Sequence, residues 1–110
     1  MASQFSTVEF ILEQIAEVGD LSAKKMFGEY GIYCNGKLVA LVCDDELFVK
    51  ITPAGKALIG DFPEKQPYPH AKPCFLISGE KWDDRDWLSQ LIKVSVSDLP
   101  NPKQSRKIRK

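Results

Sequence analysis

Few residues in this 110-residue chain could carry chemistry. The one histidine, His70, lies four residues before Cys74, and a cysteine–histidine pair is a nucleophile only when its two side chains meet in hydrogen-bonding geometry. Here Pro73 separates them, and no serine or carboxylate is patterned around them, so His70 reads as a surface-loop residue, with a small-ligand binder or enzyme using the Pro-rich loop and His70 as the alternative. Asp44-Asp45-Glu46 and Asp83-Asp84-x-Asp86 hold enough carboxylates for a hard cation, but neither has the spacing or the glycine of a calcium loop. Turns and helix starts call for the same residues. Gly28-Glu29-Tyr30-Gly31 has the Gly-x-x-Gly spacing of loops that clamp a nucleic-acid backbone. It contains an acid and lies between strand-like runs, which suits close packing or a bend better. Cys34, Cys43 and Cys74 form no Cys-x-x-Cys pair, and an odd number fits free thiols better than a disulfide framework. No catalytic residue, metal ligand or cofactor site emerges, and the chain reads as a non-enzyme.

What remains is an interaction surface, and the elements that would build it start at Met26. Apolar runs flank Asn35-Gly36, a hairpin signal because both residues tolerate positive φ. A third run, Leu47 to Ile51, follows Asp44-Asp45. Three antiparallel strands in a meander are predicted. With two-residue turns, Tyr33 pairs with Leu38, Ile32 with Val39, Val42 with Leu47 and Ala40 with Val49. Opposed residues share a face. One face then carries Tyr33, Leu38, Ala40, Val42, Leu47, Val49 and Ile51 and reads as the core. The other carries Tyr30, Ile32, Val39, Leu41, Cys43, Phe48 and Lys50. Tyr30, Val39, Phe48 and Lys50 are the expected interaction face. It can pack against the last helix, meet a second copy of the chain in a homodimer, or stack bases.

Around this sheet, residues 6 to 18 predict a helix with a Ser6–Glu9 capping box, a Phe5–Phe10 staple and a stripe at Val8, Ile11, Leu12, Ile15 and Val18. Leu21 to Phe27 predicts a short strand. Thr52-Pro53 starts a short helix that Gly60 ends. Four prolines between residues 61 and 73 exclude helix and central strand there. Cys74 to Ile77 predicts one more strand, residues 78 to 81 a turn, and Asp83 or Asp84 the cap of a last helix striped by Trp87, Leu88, Leu91 and Ile92. The expected fold is α+β: a central antiparallel meander packed with the N- and C-terminal helices in one compact domain, residues 1–100. Residues 101–110 are an expected disordered tail.

Charge divides the same way. Lys103, Arg106, Lys107, Arg109 and Lys110 supply five of fifteen basic residues, leaving ten against fifteen acids, a formal −5 for the rest. The tail is the expected site of any nucleic-acid contact, weak and without sequence preference. No run approaches the ~18–20 apolar residues of a membrane helix, and no secretory leader opens the chain, so a cytoplasmic location is expected.

Lys25-Met26-Phe27-Gly28, Tyr30-Gly31, the Asn35-Gly36 hairpin and Leu47-Phe48-Val49-Lys50 resemble the N-terminal domain of the TfoX/Sxy family of competence regulators. Trp87-Leu88 and Leu99-Pro-Asn-Pro-Lys103 are similar to family features, whereas Cys74 to Ile77 departs from a tyrosine-rich run. The resemblance implies a compact α/β domain around an antiparallel sheet. It further implies a regulatory module working with a protein partner, the transcription machinery or a regulator. Full-length members act on DNA-uptake genes with the cyclic-AMP receptor protein and carry a C-terminal domain. A stand-alone form without that domain is expected here, which weakens the link to competence itself.

Overall fold

The computed structural model describes residues 5–26 and 29–99, with the Met26 side chain left aside. In chain order the elements are α1 (Phe5–Gln14), β1 (Leu21–Met26), β2 (Glu29–Cys34), β3 (Lys37–Cys43), β4 (Glu46–Lys50), α2 (Pro53–Ile59), β5 (Glu64–Lys65), β6 (Cys74–Ile77), α3 (Gly79–Trp82) and α4 (Arg85–Asp98). The fold is α+β, one compact domain around an antiparallel sheet in the order β1-β2-β3-β4-β6-β5.

Both hairpins of the meander turn on two residues in the left-handed region. Asn35 and Gly36 have φ of 54° and 82°, and Asp44 and Asp45 have 53° and 57°. Paired positive φ matches the twist of the strands it joins, and Asp tolerates it through its short polar side chain. The β3–β4 register follows, with Val42 opposite Leu47 and Ala40 opposite Val49.

The β2–β3 register differs from expectation. Tyr33 pairs with Leu38, but Ile32 then pairs with Ala40 and Tyr30 with Val42. Val39 is the extra residue of a bulge. A bulge places two residues opposite one and shifts everything beyond it by one position. Tyr30, Ile32 and Val39 therefore join the core beneath the helices, while Leu41, Cys43, Phe48 and Cys74 gather separately on the other face. The expected face of Tyr30, Val39, Phe48 and Lys50 is thus split between the two sides of the sheet.

The helix-side core joins Val8, Ile11 and Ile15, the strand residues Val42, Leu47, Val49, Phe75 and Ile77, and Leu88, Leu91, Ile92 and Val96. Both terminal helices pack on this side, so α4 does not cover the second face as expected. The described α1 already includes Phe5, which places Ser6 inside the helix rather than at its cap. Phe5 contacts the Tyr30 ring at 5.7 Å between centroids, not Phe10. A helix end leaves carbonyls without intrahelical donors, and α4 supplies donors here. Arg85 Nη2 donates to the Glu13 carbonyl at 3.1 Å and Ser89 Oγ to the Gln14 carbonyl at 3.0 Å. The segment 78 to 81 lies mostly in the one-turn α3 rather than a plain turn, and the Pro-rich stretch holds the two-residue edge strand β5.

The helix starts follow the sequence. Thr52 Oγ1 accepts from the Gly55 amide at 3.0 Å, and Asp84 Oδ1 from the Trp87 amide at 3.2 Å. Gly55 lets α2 approach α4: a Cβ there would lie 3.1 Å from Ser95 Oγ and from Thr52 Oγ1. Gly60 ends α2 at φ 73°, ψ −144°, a region essentially confined to glycine. Nothing lies within 4 Å of a Cβ built there. Gly60→Ala is therefore expected to lose about 1–3 kcal/mol through backbone strain alone, without any clash. Urea denaturation of both forms measures it; an unchanged midpoint would show that the turn adapts.

Candidate functional site

The second face of the sheet is a small core of its own. Leu41 pairs with Phe48 and Phe48 with Leu76, and Lys50 pairs with Cys74. Phe48 is 1% exposed, and Leu41, Cys43 and Cys74 are buried with it. The apolar patch here is thus not an open docking face at Phe48. What is open is a groove beside it.

That groove is built by the Pro-rich loop. The Ala71 amide donates to the Tyr68 carbonyl at 3.1 Å, closing a four-residue turn with Pro69 second and His70 third. His70 has φ of 70°. Proline followed by a positive-φ residue is the pattern of a type II turn. Gln66 Nε2 donates to the Ala71 carbonyl at 2.7 Å and braces the loop from inside. Pro67, Tyr68, Ala71, Lys72 and Pro73 thereby form one wall of a cavity of about 370 Å³. Leu38, Leu41 and Ile51 contribute apolar surface, with Cys74 and Lys50 beside them. The volume falls within the range of small-molecule sites.

The lining residues include Lys50 and Lys72 and no acid. Elsewhere on the surface Lys56 pairs with Glu64 at 3.6 Å and Lys65 with Glu46 at 3.5 Å. Among the described residues neither Lys50 nor Lys72 has such a partner. A wider polar cleft of about 630 Å³ lies between α1 and α4, but Glu13, Glu17, Arg85, Asp86 and Lys93 line it with both signs of charge.

Burial disfavours the thiolate at all three cysteines. Burial raises the Cys74 pKa, and the nearby Lys50 ammonium only partly offsets it. Its Sγ donates to the Lys72 carbonyl at 3.8 Å. A reactive thiol needs the reverse, a lowered pKa and access. Burial likewise raises Cys34, with Asp20 adding to the effect. Cys43 is pushed up to about 11, by burial first and then by Glu29, Asp44, Cys74 and Glu46. A thiol whose folded pKa exceeds its unfolded value keeps its proton longer in the native state. Its contribution to stability is complete below the unfolded pKa, near 9, and is lost as pH rises toward about 11. Stability is expected to fall between those values, and Cys43→Ser should flatten the fall. Thermal melts across that window check it; identical pH profiles would rule out Cys43 as a source.

The remaining sequence candidates take structural places. The Asp44 amide donates to Glu29 Oε1 at 3.2 Å, and Asp45 Oδ1 accepts from Thr7 Oγ1 at 3.1 Å, so this acidic run serves a turn. No group of three or more His, Cys, Asp or Glu side chains gathers as a metal site among the described residues. Gly31 sits within β2 between Lys24 and Leu41, so that half of the Gly-x-x-Gly spacing is strand; Gly28 lies outside the described residues. Tyr30 and Val39 lie on the helix side, and Phe48 and Lys50 on the second face. Lys103, Arg106, Lys107, Arg109 and Lys110 also lie outside the described residues. The Pro-rich loop with His70 is the small-ligand alternative read from the sequence; the cavity is lined by that loop, but by Lys50 and Lys72 rather than His70, and Lys72 was not singled out from sequence. No described helix is long and apolar enough to cross a membrane.

Comparison with known proteins places this architecture. A protein of Spirochaeta aurantia, described as an uncharacterized 12.7 kDa protein in the trpE 5′ region, is 29% identical over 103 residues, covering 94% of this chain and 89% of that protein. The sequence profile of the TfoX N-terminal domain matches residues 13–99, which run from the last turn of α1 through α4. The chain belongs to the TfoX N-terminal domain family.

Proposed function

We propose that this chain is a non-enzymatic regulatory module that acts in transcription through a protein partner. Membership of the TfoX N-terminal domain family over residues 13–99 carries this reading. The raised thiol pKa values support a non-catalytic role, because they oppose nucleophilic chemistry. The partner surface is placed at the rim of the second face, at Lys50 and at Tyr68, whose side chain is 53% exposed. Phe48 backs that rim from within, while Tyr30 and Val39 serve the helix side. The test is a transcript profile of the source cell with the chain present, deleted, or carrying Tyr68→Glu. Deletion should change a defined set of transcripts, and Tyr68→Glu should reproduce that change with the protein still folded. An unchanged profile on deletion would refute the regulatory role; a deletion effect that Tyr68→Glu lacks would refute only the surface.

A second reading rests on the charge asymmetry. The domain at 1–100 and the basic tail at 101–110 are assigned separate roles, with the tail holding duplex DNA through Lys103, Arg106, Lys107, Arg109 and Lys110. Five basic residues end a chain whose remainder has a formal charge of −5. Binding by counterion release would give a log–log salt slope no steeper than about −4.5, from ~0.9 per phosphate, with no sequence preference. Removing residues 103–110 should abolish it. A titration of both forms over a salt series checks this; equal binding by the shortened form would assign DNA contact to the folded domain.

A further inference from the structure

The groove between the second sheet face and the loop at 66–73 joins two properties that its surroundings lack. The chain without its tail is net acidic, yet this cavity is lined by two lysines and by no acid. Lys56 pairs with Glu64 and Lys65 with Glu46, while Lys50 and Lys72, like several other described lysines, have no carboxylate within ion-pair distance among the described residues. Lys50 is half-buried and stands opposite Cys74, Lys72 is exposed and precedes Cys74 by two residues, and both line the cavity. Leu38, Leu41 and Ile51 offer apolar contact, and Tyr68 adds a half-exposed ring at the mouth.

We propose that this groove binds a small organic carboxylate with a planar or branched apolar body, its anionic group held by Lys50 and Lys72. Lys50, being half-buried, attracts an anion more strongly than an ammonium in open water, and the exposed Lys72 adds a second positive charge. The charge pattern excludes a cationic or neutral ligand as the preferred occupant. The apolar lining favours a carboxylate on a hydrocarbon body over inorganic phosphate, which has no apolar part to bury there. The cavity shares Lys50 and Tyr68 with the proposed partner surface, and a titration of the isolated chain reads ligand binding with no partner present.

The test uses the full chain, labelled with nitrogen-15, titrated with indole-3-acetate and with the branched 4-methylpentanoate. Indole-3-acetamide, the neutral isostere, is the control for charge. Amide shifts are expected at Leu41, Lys50, Ala71 and Lys72, with a dissociation constant on the order of a millimolar or below, as befits a ligand of this size. The acetamide should bind about tenfold more weakly, and Lys72→Gln and Lys50→Gln should each weaken indole-3-acetate by a similar factor. Lys72 lies outside every strand, so Lys72→Gln reports even where Lys50→Gln perturbs β4. No shift with either acid up to its solubility limit overturns the proposal. So does acetamide binding as well as the acid, or shifts confined to the α1–α4 cleft.

Discussion

Val42→Asp is expected to unfold the domain or to cost it on the order of 4 kcal/mol, the scale of an unpaired buried charge. Val42 is fully buried on the helix side of the central strand β3. Its neighbours across the sheet are Tyr30 and Leu47, and the latter belongs to the same core. Domains of this size hold only about 5–15 kcal/mol in total, so one such change removes much of the reserve. The deficit should depend on pH. A carboxyl introduced there has its folded pKa raised by burial, so the variant is least impaired below the ordinary Asp value near 3.9 and worsens as pH rises above it. Thermal melts of variant and parent at matched pH give the difference. A melting temperature close to the parent's at neutral pH would mean that the strand is not the centre of the fold.

Phe48→Ala is expected to cost about 3–5 kcal/mol, the range for emptying a buried aromatic site. This is the sharper test, because it addresses the face that pattern reading left open. Phe48 shares its cluster with Leu41, Cys43, Cys74 and the partly buried Leu76. A comparison with Phe10→Ala, which removes a 38% exposed ring from α1, isolates burial from ring loss. That change should stay within about 1 kcal/mol. Chemical denaturation of both variants measures the contrast. Equal losses would mean that the second face is not a core in solution, and the groove beside it would lose its rigid floor.

Much of this was readable in the residues. Asn35-Gly36 announces a hairpin because few other pairs accept two positive φ values cheaply, and Thr52-Pro53 and Asp84 announce helix starts by their hydrogen-bonding chemistry. The bulge was not readable. Lys37 to Cys43 has apolar residues on both faces, so an inserted residue at Val39 breaks no alternation that could reveal it. That single shift moved Tyr30 and Val39 from the expected interaction face into the helix-side core. The groove escaped for a different reason. Its walls are brought together by Gln66 bonding to Ala71 and by the turn at Tyr68, while Lys50 and Lys72 are far apart in sequence and come to line one cavity only through the pairing of β4 with β6.

The capping of α1 by α4 has a consequence for how the chain is made. The donors for the Glu13 and Gln14 carbonyls lie 72 and 75 residues further along. The first helix therefore leaves the ribosome without the side chains that finish it, and Val8, Ile11 and Ile15 have no Leu88, Leu91 or Ile92 to meet. Isolated helices of this length are marginal in water. The helix-side core also needs Leu91, Ile92 and Val96, so a nascent chain that ends before α4 leaves the apolar stripe of α1 without its native cover.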